Sequence, residues 1–378
     1  MKVSNRVRFS LSLVALLSVM SVAVRAQDAR STLTNLPASQ AVLYINARRL
    51  INEAAPAVVP PEVLNKTLND ARQFIDLNGL EYVIAGARLK GEVSLKQLPE
   101  VLLIVRGNFS ADGLLSAARM AGQGMYVQET YGGKTLNVFT LNKAAAPAAA
   151  EGGAEQSSKK FPIDQIAAVA LDANTLAIGI PAYLRDAIDA STGGDKARLK
   201  PELVDLALRD ANTLVSIVTD VPPAMSQHLR ALGVPPNAEA DRLIDALRQL
   251  QLSVNMQPGT FGVQSIMRME NSDAASSLSG LVSMGANLAK GEIAKDAQKK
   301  TGGERDDMAA LLRVFETLTN TARDNEVTLG LTFQQASLAE VIKRQMMPKP
   351  KKQETAITPA PNRGAAVVKR RRPRPRRK

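Results

Sequence analysis

Residues 41–47 read AVLYINA, and the fold turns on them. β-Formers crowd this run, and Leu36-Pro37 stands just before it, so the reading is a strand. NTLVSIVTDVPP, residues 212–223, parallels it in the second half of the chain. The elements that follow each copy can therefore be compared one with another.

After the first copy, EVLNKTLNDARQFI (62–75) places Val63, Leu64, Leu68, Ala71 and Ile75 on one helical face. Pro60 and Pro61 suit its first turn, and Asn78-Gly79 stops it. EYVIAGARL (81–89) and VLLIVRGNF (101–109) read as strands. Ser110 and Asp112 then open a helix through Leu114, Leu115 and Ala118. YVQET, the turn YGGKT and LNVFTL read as a hairpin. IAAVALD (166–172) and TLAIGI (175–180) are strands, and PAYLRDAIDA (181–190) is a helix between a leading Pro and Gly193-Gly194.

After the second copy, DRLIDALRQL (241–250) reads as a helix, with Leu243, Ile244, Leu247 and Leu250 on one face. QLSVNMQ (251–257) and FGVQSIMRM (261–269) are the strand pair, and a helix follows at 271–288. MAALLRVFETL (308–318), NEVTLGLTF (325–333) and QASLAEVIKRQ (335–345) close the half. Strand, helix, strand, strand, helix thus occurs twice. The expected class is α+β: two related modules, 27–200 and 201–347, of mostly antiparallel sheet with helices on one face. Within the first module NKAAAPAAAEGGAEQSSKK (142–160) is of low complexity and reads as a flexible loop.

LPASQAVLYINARRL, VLLIVRGNFSADGLL, YGGKTLNVF and LAIGIPAYLRDAIDAS are similar to phrases of a group of secreted, uncharacterised bacterial α+β proteins, known mainly as a domain of unknown function. The resemblance covers most of 30–220. It carries no catalytic signature and implies no activity.

Residues 1–26 read as a secretory signal peptide. Lys2, Arg6 and Arg8 precede the apolar run Leu11–Val24, and Val24-Arg25-Ala26 offers cleavage before Gln27. The run is shorter than the roughly 20 residues that span a bilayer, and no other segment is long and apolar enough. The expected location is therefore exported, periplasmic or extracellular. The chain has no Cys, so disulfides and lipidation at an N-terminal cysteine are excluded, and about 320 residues must fold on a packed core alone.

The formal net charge is +12. The leader carries +4 of it and residues 348–378 carry +11, which leaves 27–347 at −3. The cationic character is thus a property of the tail and leader. The six prolines and scarce large apolar residues of 348–378 predict a disordered basic tail. Its last ten residues hold Lys369, Arg370, Arg371, Arg372, Arg374, Arg376, Arg377 and Lys378, the expected contacts for an anionic partner.

Other chemistries find little support. YGGKT ends like a phosphate-binding loop, but Gln128 stands where the first Gly should be, and a strand follows where a helix is needed. His228 is the single histidine, so histidine metal clusters are excluded; it reads as a helical surface residue beside Ser226. GLVSMG (280–285) is one residue too long for a nucleophile elbow and reads as small-residue packing in a helix. Glu304, Asp306 and Asp307 read as first-turn acids complementing a helix dipole. DLNG (76–79) has too few oxygen ligands for a calcium loop. No cofactor is indicated.

The expected function is an envelope-associated binding or scaffold protein, tethered by its tail to anionic envelope polymers or lipid headgroups. The alternatives are a carboxylate-dependent hydrolase, whose paired acids would leave no local trace, and an extracellular nucleic-acid binder. The missing catalytic constellations favour the binder over the enzyme.

Overall fold

A computed structural model describes residues 28–72, 76–89, 99–121, 125–141, 163–193, 197–223, 226–227 and 237–346. The expected signal peptide, the low-complexity stretch 142–160, His228 and the basic tail lie outside the described residues.

The strands are β1 (Ala41–Ile45), β2 (Leu80–Arg88), β3 (Glu100–Gly107), β4 (Tyr126–Tyr131), β5 (Lys134–Thr140), β6 (Gln165–Asp172), β7 (Thr175–Gly179), β8 (Thr213–Asp220), β9 (Leu247–Gln257), β10 (Thr260–Met269), β11 (Thr319–Arg323) and β12 (Glu326–Gln334). They form one sheet in the order β11-β12-β10-β9-β8-β1-β2-β3-β7-β6-β5-β4. Each pairing is antiparallel. The α+β class and the antiparallel sheet are as the sequence predicts. The two echoing strands are themselves partners: Leu43 of β1 faces Ile217 of β8. From that seam the order runs outward alike, with β3 beside β7 on one side and β10 beside β12 on the other.

Helices cover both faces of the sheet, not one. Side chains alternate across a strand, so Ala167 and Val169 of β6 join one core while Ala168 joins another. On the front face Val42, Tyr44, Tyr82, Ile84, Leu102 and Ile104 meet Leu33 of the helical residues 28–34 (α1) and buried residues of helices Pro181–Ser191 (α5) and Pro201–Ala207 (α6). On the back face, Ala111 and Leu115 of helix Ala111–Ala121 (α4) cover β6 and β7. The helical pieces Ala47–Arg49, Leu50–Ala54 and Ala55–Val58 run on as α2, which packs with Phe261, Phe333 and Leu338. Helix Pro61–Arg72 (α3) adds Leu68 beside Leu77 and Leu80.

Asparagines start two later helices. Asn237 Oδ1 accepts from the Glu239 and Ala240 amides to cap Ala238–Asp245 (α7). Asn271 Oδ1 accepts from the Ala274 amide at 2.9 Å to cap Ser272–Lys299 (α8). Gly303–Glu316 (α9) and Gln335–Met346 (α10) complete the described helices.

The expected helix 241–250 is corrected. It ends at Asp245, and Leu247–Gln257 is strand. Gln249, Gln251, Ser253, Asn255 and Gln257 alternate with Leu250, Leu252, Val254 and Met256. That period of two overrides the helical spacing.

Candidate functional site

Two arginines occupy the inward parity of apolar strands. Counting by twos from Leu102 and Ile104 along β3 reaches Arg106, and counting from Tyr82 and Ile84 along β2 reaches Arg88. Each must find anions at the rim of the core, since a charge there is costly unless paired.

Arg106 finds them on three other segments. In the β6–β7 turn, Asp172 Oδ1 accepts from the Asn174 amide at 2.8 Å, which fixes the turn. Asp172 Oδ2 then receives Thr175 Oγ1 at 2.9 Å and Arg106 NH1 at 3.1 Å. Glu81 lies 3.6 Å and Asp28 3.8 Å from other guanidinium nitrogens. Burial works to lower the Arg106 pKa, but Tyr82, Asp172, Asp28 and Glu81 raise it above its ordinary value. Its Nε is buried without a hydrogen-bond acceptor. Beside it the Tyr82 and Thr32 hydroxyls are 2.7 Å apart, and burial pushes the Tyr82 phenol up to about 12, so it stays neutral.

A cleft of about 290 Å³ opens here between α1, the β6–β7 turn and the end of α5, lined by Asp28, Thr32, Arg106, Asp172, Thr175 and Ser191. Lys134 borders it, with Nζ donating to the Leu171 carbonyl at 2.8 Å. Lys134 also borders a larger concavity of about 550 Å³, with Asp112, Arg119, Gln128, Thr135 and Asn137. Three carboxylates face Arg106, so its charge is matched within the fold.

Arg88 is clamped more tightly. It donates to Glu100 at 2.7 Å and Asp186 at 2.6 Å, and its guanidinium lies 4.0 Å from the centre of the Tyr183 ring. Tyr183 is fully buried, and its hydroxyl bonds Ser39. Glu129, hydrogen-bonded by Arg185 at 2.6 Å, is held below the usual carboxylate range. For Glu326 burial pushes upward, but the hydrogen bonds from Arg209 and Arg268 outweigh it and hold the carboxyl low. Neither acid is poised to donate a proton near neutral pH.

Gly132 and Gly133, at φ 55° and 73°, form the two-residue turn between β4 and β5, so YGGKT is a hairpin and Lys134 opens a strand. Ser226 donates to Asp245 at 2.7 Å, while its neighbour His228 lies outside the described residues. GLVSMG lies within α8, but the small-residue packing reading is corrected. A Cβ on Gly280 or Gly285 would meet nothing within 4 Å, and Ser283 serves as acceptor to Asn320 Nδ2 at 2.7 Å. Glu304, Asp306 and Asp307 stand in the first turns of α9. Leu77–Gly79 is a single turn in which Asp76 caps the Asn78 amide. The eight expected tail contacts, Lys369 to Lys378, lie outside the described residues.

Among the described residues no group of three or more His, Cys, Asp or Glu is arranged to hold a metal ion. No helix there is long and apolar enough to cross a membrane.

No family model and no curated protein matches the chain. Among solved structures, crystal form IV of TP0453 is similar at 10% identity and a TM-score of 0.42, over 82% of this chain and 95% of that one. Crystal form III of TP0453 is similar at 9% identity and a TM-score of 0.40, over 82% and 97%.

The Arg106 cluster was missed from sequence because its members come from four segments. The parity of Arg106 and Arg88 was the available signal: a cation continuing an inward apolar series.

Proposed function

We propose that the chain is an exported, envelope-associated binding or scaffold protein whose basic C-terminal segment tethers it to anionic lipid headgroups or envelope polymers. The observation that carries this reading is the segregation of charge. Residues 27–347 sum to −3 and 348–378 to +11. The cations at the rim of the core are already matched, Arg88 to two acids and Arg106 to three. Attraction to an anionic surface then falls to Lys369, Arg370, Arg371, Arg372, Arg374, Arg376, Arg377 and Lys378. Near such a surface each contributes about 1 kcal/mol at moderate salt. The signal reading of 1–26 supplies the route to that surface. The acids gathered at Arg88 and Arg106 are tied to those arginines, which supports binder over hydrolase.

The test is sedimentation with vesicles containing anionic lipid, using the secreted chain with its N-terminus read by mass spectrometry. Expected are a start at Gln27, binding that falls steeply with salt as charges are screened over about 8 Å, and loss of binding on deleting 348–378 with an unchanged melting temperature. A truncated chain that binds equally well refutes the tether.

A further inference from the structure

The two ends of the sheet are finished differently. β11 is five residues long, and its Asn320 Nδ2 donates to the Ser279 carbonyl and Ser283 Oγ of α8. A helix thus holds that edge. β4, at the other end, reads YVQETY. It has neither Pro nor Lys, and its register with β5 runs unbroken from Tyr126–Phe139 to Tyr131–Lys134. Such bulges, charges and prolines are the usual blocks on edge pairing. Val127 on this strand is 68% exposed, and Met120 and Met125 nearby are 76% and 43% exposed.

The ladder shows which groups β4 leaves open. The Met125 carbonyl accepts from the Thr140 amide at 3.1 Å, so the odd residues of β4 bond inward to β5. Alternation turns the N–H and C=O of Tyr126, Gln128 and Thr130 outward. Among the described residues no strand pairs with this edge.

We infer that β4 is a self-association edge, pairing antiparallel with β4 of a second copy about a two-fold axis at Gln128. In this register Gln128 faces its own copy, and Tyr126 and Thr130 face each other across the axis. Every outward donor and acceptor of the strand is then matched, as a self-complementary interface requires. A shift by one pairing step in either direction leaves part of the set unmatched, and one of these shifts sets Glu129 against its own copy. In the register chosen, Glu129, already neutralised by Arg185, meets Val127 of the partner copy. Glu129 is the single charge of YVQETY, so in this register the strand opposes itself with no like charges facing and all outward groups matched, which favours a second copy as the occupant.

The chain has no cysteine, so a single introduced thiol reports the geometry. Directly opposed residues in a hydrogen-bonded antiparallel pair have Cα atoms about 5.5 Å apart, within disulfide reach. The expected results are a dimer by sedimentation velocity at about 100 µM, where a pair with a Kd of about 1 µM is nearly fully formed; monomers for Val127→Glu, which sets like charges opposite each other, and for Thr130→Pro, both with wild-type circular dichroism; and rapid disulfide dimers for Gln128→Cys but not Thr130→Cys. A wild-type monomer at that concentration overturns the inference, as does a dimer that both edge variants leave intact. Cross-linking by Val127→Cys in place of Gln128→Cys overturns the register.

Discussion

The two halves of the sheet share a strand order and differ in what they bury. In the first half, β2 and β3 send Tyr82, Ile84, Leu102 and Ile104 to the front, under α1, α5 and α6. In the second, β9 sends Gln251, Ser253 and Asn255 to that face, and all three are buried. Gln251 Nε2 donates to the Leu206 carbonyl of α6 at 2.6 Å, while Gln251 Oε1 and Ser253 Oγ have no partner. The second half keeps apolar packing on the back, where Met267, Met269, Val327 and Leu329 meet Ala275 and Leu278 of α8. Strand order is therefore compatible with either face as the core face. Side-chain parity and the covering helix decide which.

The largest difference is expected where side chains of the covering helices are truncated. Leu184 of α5 is fully buried, and Leu184→Ala should cost about 2–5 kcal/mol. Leu288 of α8 is 66% exposed, and Leu288→Ala should stay within about 0.5 kcal/mol. Urea melts compare the two directly; a large loss at Leu288 would mean that this helix face is covered in solution.

Glycines in the two halves sharpen the contrast at smaller scale. A Cβ on Gly86 would sit 2.8 Å from Ser39 Oγ and 3.0 Å from the Tyr183 hydroxyl oxygen and Leu36 Cδ2. Gly86→Ala should destabilise by about 1–3 kcal/mol through overpacking. A Cβ on Gly262 meets nothing nearer than 3.9 Å. Gly262→Ala should shift the urea midpoint hardly at all, and equal shifts at both sites would contradict the difference in packing.

A charge pair gives the last comparison: Glu326 is bonded to Arg209 at 2.7 Å and Arg268 at 3.2 Å. Its folded-state pKa is lowered. The resulting stability is fully present above the unfolded glutamate value near 4.3 and is lost as pH falls through the lowered folded value. Glu326→Gln should cost about 1 kcal/mol at neutral pH, and its urea midpoint should converge on that of the wild type in acid. A gap that persists in acid would mean that the loss is not electrostatic.

Legibility in the sequence followed the strength of local pattern. AVLYI, EYVIAGAR and VLLIVRG are dense in β-formers and stand as β1, β2 and β3. The Ser110 start was readable because its hydroxyl caps the Gly113 amide three residues on. β11 was missed because TNTAR has no apolar alternation; it exists by pairing with β12. Residues 28–34 were missed too, although Ala29, Leu33 and Leu36 are almost wholly buried, because a short helix draws its stability from tertiary packing. The Arg106 cluster joins Asp28, Glu81, Arg106 and Asp172, and no window on the sequence contains all four.

Leu43 and Ile217 are neighbours across the β1–β8 seam although almost half the chain separates them. Closing that seam from an open chain would carry the entropy of a very long loop. Once β1 to β7 and α5 are in place, the same seam closes only the connection from Ser191 to Thr213, and α6 already folds part of that. The non-local contact becomes nearly local, which lowers the kinetic barrier that long-range pairing imposes. The expected order is therefore a first half that forms as a template with β1 as its growing edge, and a second half laid down on it strand by strand. Damage between residues 41 and 179 would stall everything after it, whereas damage beyond 247 would leave the template standing.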